Sequence, residues 1–86
     1  MSTTAASDTA LLKPLLPQLR AMQERYAEQE EDEAAEALEQ FIEIVEYDLD
    51  DVVRDEASLT AGTLLDVSEA AQIEFCTLVI AKLRAS

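Results

Sequence analysis

Residues that end helices or form tight turns are almost missing from this chain. Its 86 residues include one glycine (Gly62), two prolines (Pro14 and Pro17) and no asparagine, far below the usual share of glycine and proline. A β-sandwich or β-barrel needs frequent turns built from glycine, asparagine or aspartate. Alanine and glutamate, which favour helices, are abundant instead. The sequence therefore predicts an all-α protein.

The length and the apolar residues limit the fold to one small domain. A chain of this size buries only a modest core. With two phenylalanines, two tyrosines and no tryptophan, that core must consist mainly of aliphatic side chains. Residues 1–10 are small and polar, so we expect a flexible N-terminal tail there. Residues 11–86 are expected to form a single helical domain.

Apolar residues recur at intervals of three and four residues, the spacing of a helix with one buried face. The pattern predicts a small helical bundle of three main helices, over residues 17–30, 33–57 and 67–84, with a short helical turn at 59–65. Pro17 suits the first turn of the first helix. Gly62 favours a turn between the second and third helices.

The boundaries of the second helix follow from its apolar stripe. That stripe is the set Ala34, Leu38, Phe41, Ile42, Val45, Leu49 and Val52. On one straight helix it would lie about 100° around the axis from the stripe of the first helix. We therefore place a break at residues 29–33, with Asp32 as N-cap. A kink or stop near residues 48–51 is an alternative, because aspartate is a poor helix former. Asp66 and Glu69 have the form of a capping box for the third helix.

The third helix is apolar around most of its circumference, which is typical of a helix with neighbours on several sides. It is either the central element of the bundle or the contact in a homodimer, through a face with Ile73, Val79 and Ile80. Cys76 lies in this helix and is expected to be a small buried core residue. Since it is the only cysteine, we expect no internal disulfide.

The net charge of −13 comes from the middle of the chain. Residues 24–56 hold 15 acidic residues and only two basic ones, Arg25 and Arg54. On a small domain, a surface of one sign attracts basic partners and repels acidic ones. We therefore expect no direct binding to nucleic acid or to anionic membranes, which are also negatively charged.

Seven acidic residues follow helical spacing and form one row on the predicted surface. This row, with Tyr47 beside it, is the predicted partner-binding site: Glu28, Asp32, Glu36, Glu39, Glu43, Glu46 and Asp50. Neighbours in the row stand about 4.5–6 Å apart along a helix axis. Like charges at that spacing repel by about 0.2–0.5 kcal/mol per pair. Tyr47 is either a solvated side chain or an aromatic anchor for a partner.

Several chemistries lack the residues that they need. The chain has no histidine and one cysteine, which excludes zinc sites made of those ligands and the Glu-x-x-His motif of helical di-metal sites. It has no glycine-rich phosphate loop and no catalytic triad. The acidic residues also lack the contrasting environments of an acid–base pair. We expect no catalytic residues, no metal site, no cofactor and no enzymatic activity.

The sequence also favours a cytoplasmic location. The N-terminus lacks the basic start and long apolar run of a signal peptide. No stretch reaches the roughly 18 apolar residues of a transmembrane helix.

These features favour a non-enzymatic protein-binding module, of the inhibitor, adaptor or chaperone type, whose acidic helix docks on a basic surface of a partner protein. The centre of the predicted site comprises Glu36, Glu39, Glu43 and Glu46. Three alternatives stay open. The row is only a solubilising surface, it imitates nucleic acid in an inhibitor of a DNA- or RNA-binding protein, or the chain is a structural homo-oligomeric subunit packed through the third helix.

Overall fold

A computed structural model describes residues 7–85, and within that range all regular structure is helical. The helices are α1 (Asp8–Leu12), α2 (Leu16–Glu28), α3 (Asp32–Glu46), α4 (Asp50–Val67), α5 (Glu69–Phe75) and α6 (Ala81–Ala85). A 3₁₀ turn (Lys13–Leu15) joins α1 to α2. A π-helical segment (Cys76–Ile80) joins α5 to α6, so that these three segments form one C-terminal helix. The prediction of a small all-α bundle is confirmed, with α2, α3, α4 and the C-terminal helix as its main helices.

Helices that follow one another in the sequence also pack against one another. Helix α3 contacts α2 on one side and α4 on the other, α4 contacts α5, and α1 contacts α3, α4 and α6. The largest fully buried apolar side chains are Leu12, Leu19, Met22, Leu38, Phe41, Val45, Val53, Leu64, Phe75 and Val79. Phe41 and Phe75 meet edge to face with ring centroids 5.2 Å apart, a favourable aromatic geometry. The core therefore lies between α3 and its neighbours and is mostly aliphatic, as predicted.

The turn between α2 and α3 is a Schellman motif, the usual way in which a helix satisfies its last carbonyl groups. Glu30 adopts a left-handed backbone with φ 63°. The N–H of Glu31 donates to the carbonyl of Tyr26 at 2.9 Å, and the N–H of Glu30 donates to that of Ala27 at 3.1 Å. This turn confirms the predicted break at residues 29–33. Asp32 is the first residue of α3 rather than its N-cap, which is Glu31.

The turn between α3 and α4 repeats the same motif. Asp48 has φ 57°, the N–H of Leu49 donates to the carbonyl of Ile44 at 3.0 Å, and the N–H of Asp48 donates to that of Val45 at 3.2 Å. The continuous helix predicted over residues 33–57 is therefore wrong, and the alternative of a stop near residues 48–51 is confirmed.

Helix α4 runs straight through the segment where a turn was predicted. Residues 59–65 lie inside α4, and Gly62 has an ordinary helical backbone. A glycine inside a helix costs only about 1 kcal/mol relative to alanine. Burial of Ala57, Ala61 and Leu64 on the inner face of α4 outweighs that cost, since one buried leucine alone contributes about 1.5–3 kcal/mol.

The cap of the C-terminal helix also differs from the prediction. Ser68 is the N-cap, and its side chain accepts a hydrogen bond from the N–H of Ala71 at 3.0 Å. The capping box predicted for Asp66 and Glu69 is wrong, because Asp66 belongs to the last turn of α4. A serine followed by a glutamate is a conventional helix start, so this cap was readable from the sequence.

The N-terminal tail predicted over residues 1–10 includes residues that the structure shows as helical. Residues 1–6 lie outside the described residues. Ser7 caps α1 by accepting a hydrogen bond from the N–H of Ala10 at 3.1 Å, and Thr9 is fully buried. Residues 8–10 therefore form the first turn of α1 instead of a tail.

We predict that Glu30→Gly stabilises the protein, by up to about 1 kcal/mol. A non-glycine residue in the left-handed region is strained by about 1–2 kcal/mol, and the added freedom of glycine in the unfolded chain offsets part of the gain. Asp48→Gly is the matched comparison, because it also removes the Lys13 ion pair and a hydrogen bond from Thr9. Urea unfolding should show a higher midpoint for Glu30→Gly only; equal midpoint shifts would contradict this account.

Candidate functional site

Helix α3 has one buried side and one acidic side. Its apolar residues Ala34, Leu38, Phe41, Ile42 and Val45 are buried. The exposed side carries four carboxylates that we call the acidic face: Asp32, Glu36, Glu39 and Glu43. They follow one another at intervals of four, three and four residues and line one open depression together with Ala35 and Gln40. The periodicity of the sequence thus becomes a continuous charged surface on a single helix.

The predicted row of seven acids does not lie on a single rod. Glu28 is the last residue of α2, and Asp50 is the first residue of α4. The other five row residues lie on α3, which ends at Glu46. Tyr47 is the C-cap of α3, and its side chain is 70% exposed. The reason for the shorter row is the left-handed turn after each of α2 and α3, which redirects the chain.

Four of the six basic residues form ion pairs between different helical segments. The pairs are Lys13 with Asp48, Arg20 with Glu46, Arg25 with Glu74, and Arg54 with Asp8. Only the Arg20 pair involves the predicted row, and it neutralises Glu46. Within residues 7–85, the four carboxylates of the acidic face have no basic partner. The acidic face therefore keeps its full charge toward solvent.

Asp50, one of the acids of the predicted row, makes structural contacts with α1. One of its oxygens, Oδ1, accepts hydrogen bonds from the backbone N–H and from the hydroxyl of Thr9, each at 2.9 Å. The N–H of Thr9 belongs to the first turn of α1, where backbone donors have no partner inside the helix. The hydrogen bond from this N–H is the main cause that lowers the pKa of Asp50 below its ordinary value of 3.8.

Asp48, in the α3–α4 turn, also contacts Thr9 and so helps to anchor α1. Its carboxylate lies 2.7 Å from the Lys13 ammonium and 3.2 Å from the Thr9 hydroxyl oxygen, whose single hydrogen it shares with Asp50. The hydrogen bond from Lys13 is the largest cause that lowers the pKa of Asp48. These two aspartates hold α1 against the start of α4, so part of the acidic segment maintains the fold.

A groove runs between α3 and α4 beside the acidic face. Near the turn, an open depression of about 350 Å³ is lined by Gln40, Glu43, Ile44, Tyr47, Leu49 and Glu56. A second depression of about 260 Å³ shares Gln40 and is lined also by Glu33, Glu36, Ala37 and Thr63. We call the two together the α3–α4 groove. It combines exposed apolar groups near the turn with carboxylates along its length, and none of the described residues that line it is basic.

Leu49 and Val52 were expected in the core, but they are 47% and 40% exposed. The prediction treated them as a continuation of the α3 stripe. Because α3 ends at Glu46 and the chain turns at Asp48, the helical phase of the stripe does not extend to them. Sequence reasoning therefore missed Leu49, along with Gln40, Ile44 and Glu56, as candidate site residues. Asp48 was the signal in the sequence that the helix ends there, and therefore that Leu49 does not continue the apolar stripe of α3.

The side of α3 that faces α2 has a basic residue among its carboxylates. The depression between α2 and α3 is lined by Arg20, Gln23, Glu39, Ile42, Glu43 and Glu46. Its carboxylates share the space with the guanidinium of Arg20, which pairs with Glu46. A basic residue therefore lies among the carboxylates on the α2 side of α3, whereas the described residues that line the α4 side include none.

The C-terminal helix does not present the predicted dimer face in full. Val79 is fully buried, whereas Ile73 is 59% exposed and Ile80 is half-buried. Val79 lies four residues after Phe75 and four before Leu83, so all three face the core. Its proposed contact with a second chain is wrong. Cys76 is half-buried at the edge of the core.

Among residues 7–85 no group of three cysteines or carboxylates is placed to hold a metal ion, and no helix in that range combines the length and apolar character needed to cross a membrane. Comparisons of the chain with protein-family models, curated proteins and solved structures found no match.

We predict that Asp50→Asn destabilises the protein in a pH-dependent way. The lowered pKa means that the hydrogen bonds to the Asp50 carboxylate contribute their full stability above the unfolded value of 3.8. This contribution is lost as the pH falls through the lower folded value. The urea midpoint of Asp50→Asn should lie below that of the parent at about pH 7, and the gap should narrow at about pH 3. Asp51→Asn, next in the chain, is the control. A difference in urea midpoint between Asp50→Asn and the parent that did not change with pH would contradict the role of the carboxylate.

We predict that the triple variant Glu36→Gln/Glu39→Gln/Glu43→Gln is more stable than the parent. It removes the like-charge pairs between successive acids from Asp32 to Glu46, each of which costs about 0.2–0.5 kcal/mol. The free energy of unfolding should rise by about 1–2 kcal/mol at low salt. The gain should shrink in about 0.5 M salt, because salt screens exposed charges. A gain that salt does not change would mean that repulsion is not its cause.

Proposed function

We propose that this chain is a non-enzymatic protein-binding module, of the inhibitor, adaptor or chaperone type, that docks on a basic protein surface through the acidic face of α3. The observation that carries the proposal is the absence of basic partners for Asp32, Glu36, Glu39 and Glu43 within residues 7–85. The chain directs four of its six bases to acids elsewhere. The repulsion within the acidic face is left in place for a partner to relieve.

The placement of α3 supports this proposal. The helix is held on two sides by α2 and α4, and its inner face is buried, so its carboxylates project from a supported element. Charged groups arranged in this way mainly speed encounter and select the right partner. A set of fixed charges on a packed helix loses little side-chain and backbone freedom on binding, compared with charges on a flexible loop.

The other candidate functions receive less support from the same observations. A mimic of duplex DNA needs two rows of charge, since both strands carry phosphates, and the acidic face supplies one. A homo-oligomer would bring together two chains that each carry a charge of −13, and the burial of Val79 reduces the apolar face intended for it. A purely solubilising role predicts that the position of the charges is unimportant, which can be tested directly.

We predict that removing charge from α3 weakens binding more than removing the same charge elsewhere. The test variant is Glu36→Gln/Glu39→Gln/Glu43→Gln. The control is Glu24→Gln/Asp55→Asn/Asp66→Asn, whose three positions are also exposed. Both variants have the same net charge.

The probe is a fluorescent peptide of lysine and serine, titrated at low salt. The α3 variant should bind it about fivefold more weakly than the parent, and the control less than about twofold more weakly. Added salt of about 0.5 M should remove most of the binding to the parent. Equal losses in the two variants would show that the acidic surface acts only through net charge, and the proposal would then fail.

A further inference from the structure

We infer that the α3–α4 groove receives an amphipathic helix from the partner, with apolar residues on one side and lysine or arginine on the other. This inference rests on the proposed function and deepens it, because the acidic face forms one rim of the groove. Glu36, Gln40 and Glu43 line the groove as well as the outer depression of α3, so that the two surfaces are continuous.

The end of the groove beside the α3–α4 turn supplies an apolar anchor site. Tyr47 and Leu49 are 70% and 47% exposed and line the same depression. Ile44 lines it too and packs against the core, which gives the depression a firm floor. Interfaces obtain most of their binding energy from a few buried side chains, among which tyrosine is prominent. A partner helix can bury leucine or isoleucine side chains here.

The charges along the groove determine which partner fits. Its lining includes Glu33, Glu36, Glu43 and Glu56 and, within residues 7–85, no basic residue. The depression on the opposite side, between α2 and α3, contains Arg20 paired with Glu46, so that one of its three carboxylates is already neutralised. Complementary charge therefore points to a basic partner on the α4 side. A second copy of this acidic chain is disfavoured there by the same repulsion.

The shape of the groove suits a helix of about four turns. From Glu33 to Tyr47, along α3 and its C-cap, and from Leu49 to Thr63, along the N-cap of α4 and α4 itself, the lining residues span about 21 Å at 1.5 Å per residue. A helix of about 14 residues has the same length. Two packed helices leave between them a groove that accepts the ridge of a third helix. Within residues 7–85 no strand offers an edge to an extended peptide.

Two designed peptides of identical composition provide the test. The first is a labelled helix of about 14 residues, made of leucine and lysine, with the leucines spaced to form one face. The second is a scrambled version whose leucines are spread around the helix. Because the net charge of the two peptides is the same, a difference in dissociation constant reports the apolar contact. The first peptide should bind about tenfold more tightly than the second.

The matched variants Leu49→Ala and Leu65→Ala locate the contact. Their side chains are 47% and 46% exposed, but Leu65 lies near the far end of α4 and lines neither depression. Leu49→Ala should weaken the amphipathic peptide about fivefold or more, and Leu65→Ala by less than about twofold. Tyr47→Ala, at a 70% exposed position, provides a second test if Leu49→Ala disturbs the turn. Circular dichroism checks the folding of each variant.

The outcomes separate this inference from the proposed function. Equal affinity for the two peptides, or equal effects of Leu49→Ala and Leu65→Ala, would overturn the groove as the docking site. The proposed function would survive that result if the glutamine variants of α3 still lost affinity for both peptides. If the glutamine variants of α3 bound both peptides as tightly as the parent does, the proposed function would be overturned as well. Amide chemical shifts that move at Gln40, Ile44 and Thr63 with the amphipathic peptide, and not with the scrambled one, would support the inference.

Discussion

The turn between α3 and α4 is the constraint on which the arrangement of this protein depends. Its left-handed residue, Asp48, ends α3 and sets the direction of α4. The same aspartate pairs with Lys13 and, together with Asp50, accepts hydrogen bonds from Thr9. One short segment therefore anchors α1 while it places Leu49 at the surface instead of in the core. The anchor and the candidate docking site are consequences of the same break in the helix.

Four of the six basic residues each form an ion pair with a different acidic residue. Lys13, Arg20, Arg25 and Arg54 each pair with an acid at least 26 residues away in the sequence. Exposed ion pairs of this kind add little stability, about 0–1 kcal/mol each. Their larger effect is on the distribution of charge: they neutralise Asp8, Glu46, Asp48 and Glu74 and leave the acidic face of α3 without a basic partner. The acidic face thus results from where the bases lie as well as from where the acids lie.

Sequence reasoning succeeded where a strong local preference decided the outcome. The shortage of glycine and proline identified the all-α class, and the change of helical phase located the break before α3. It failed where tertiary contacts overrode local preference. A glutamate and an aspartate, rather than glycine, occupy the two left-handed positions, and Gly62 is helical because its neighbours are buried. The split of the acidic row and the exposure of Leu49 follow from those errors.

The acidic face and the apolar end of the groove are each unfavourable for the isolated protein. Repulsion among carboxylates raises its free energy, and so does the contact of Tyr47 and Leu49 with water. Either feature alone has an ordinary explanation, since charged helix faces keep proteins soluble and single exposed apolar residues are common. Their combination on adjoining surfaces is more informative. Lysine or arginine relieves the first and aliphatic side chains relieve the second, so one amphipathic basic helix would relieve both at once.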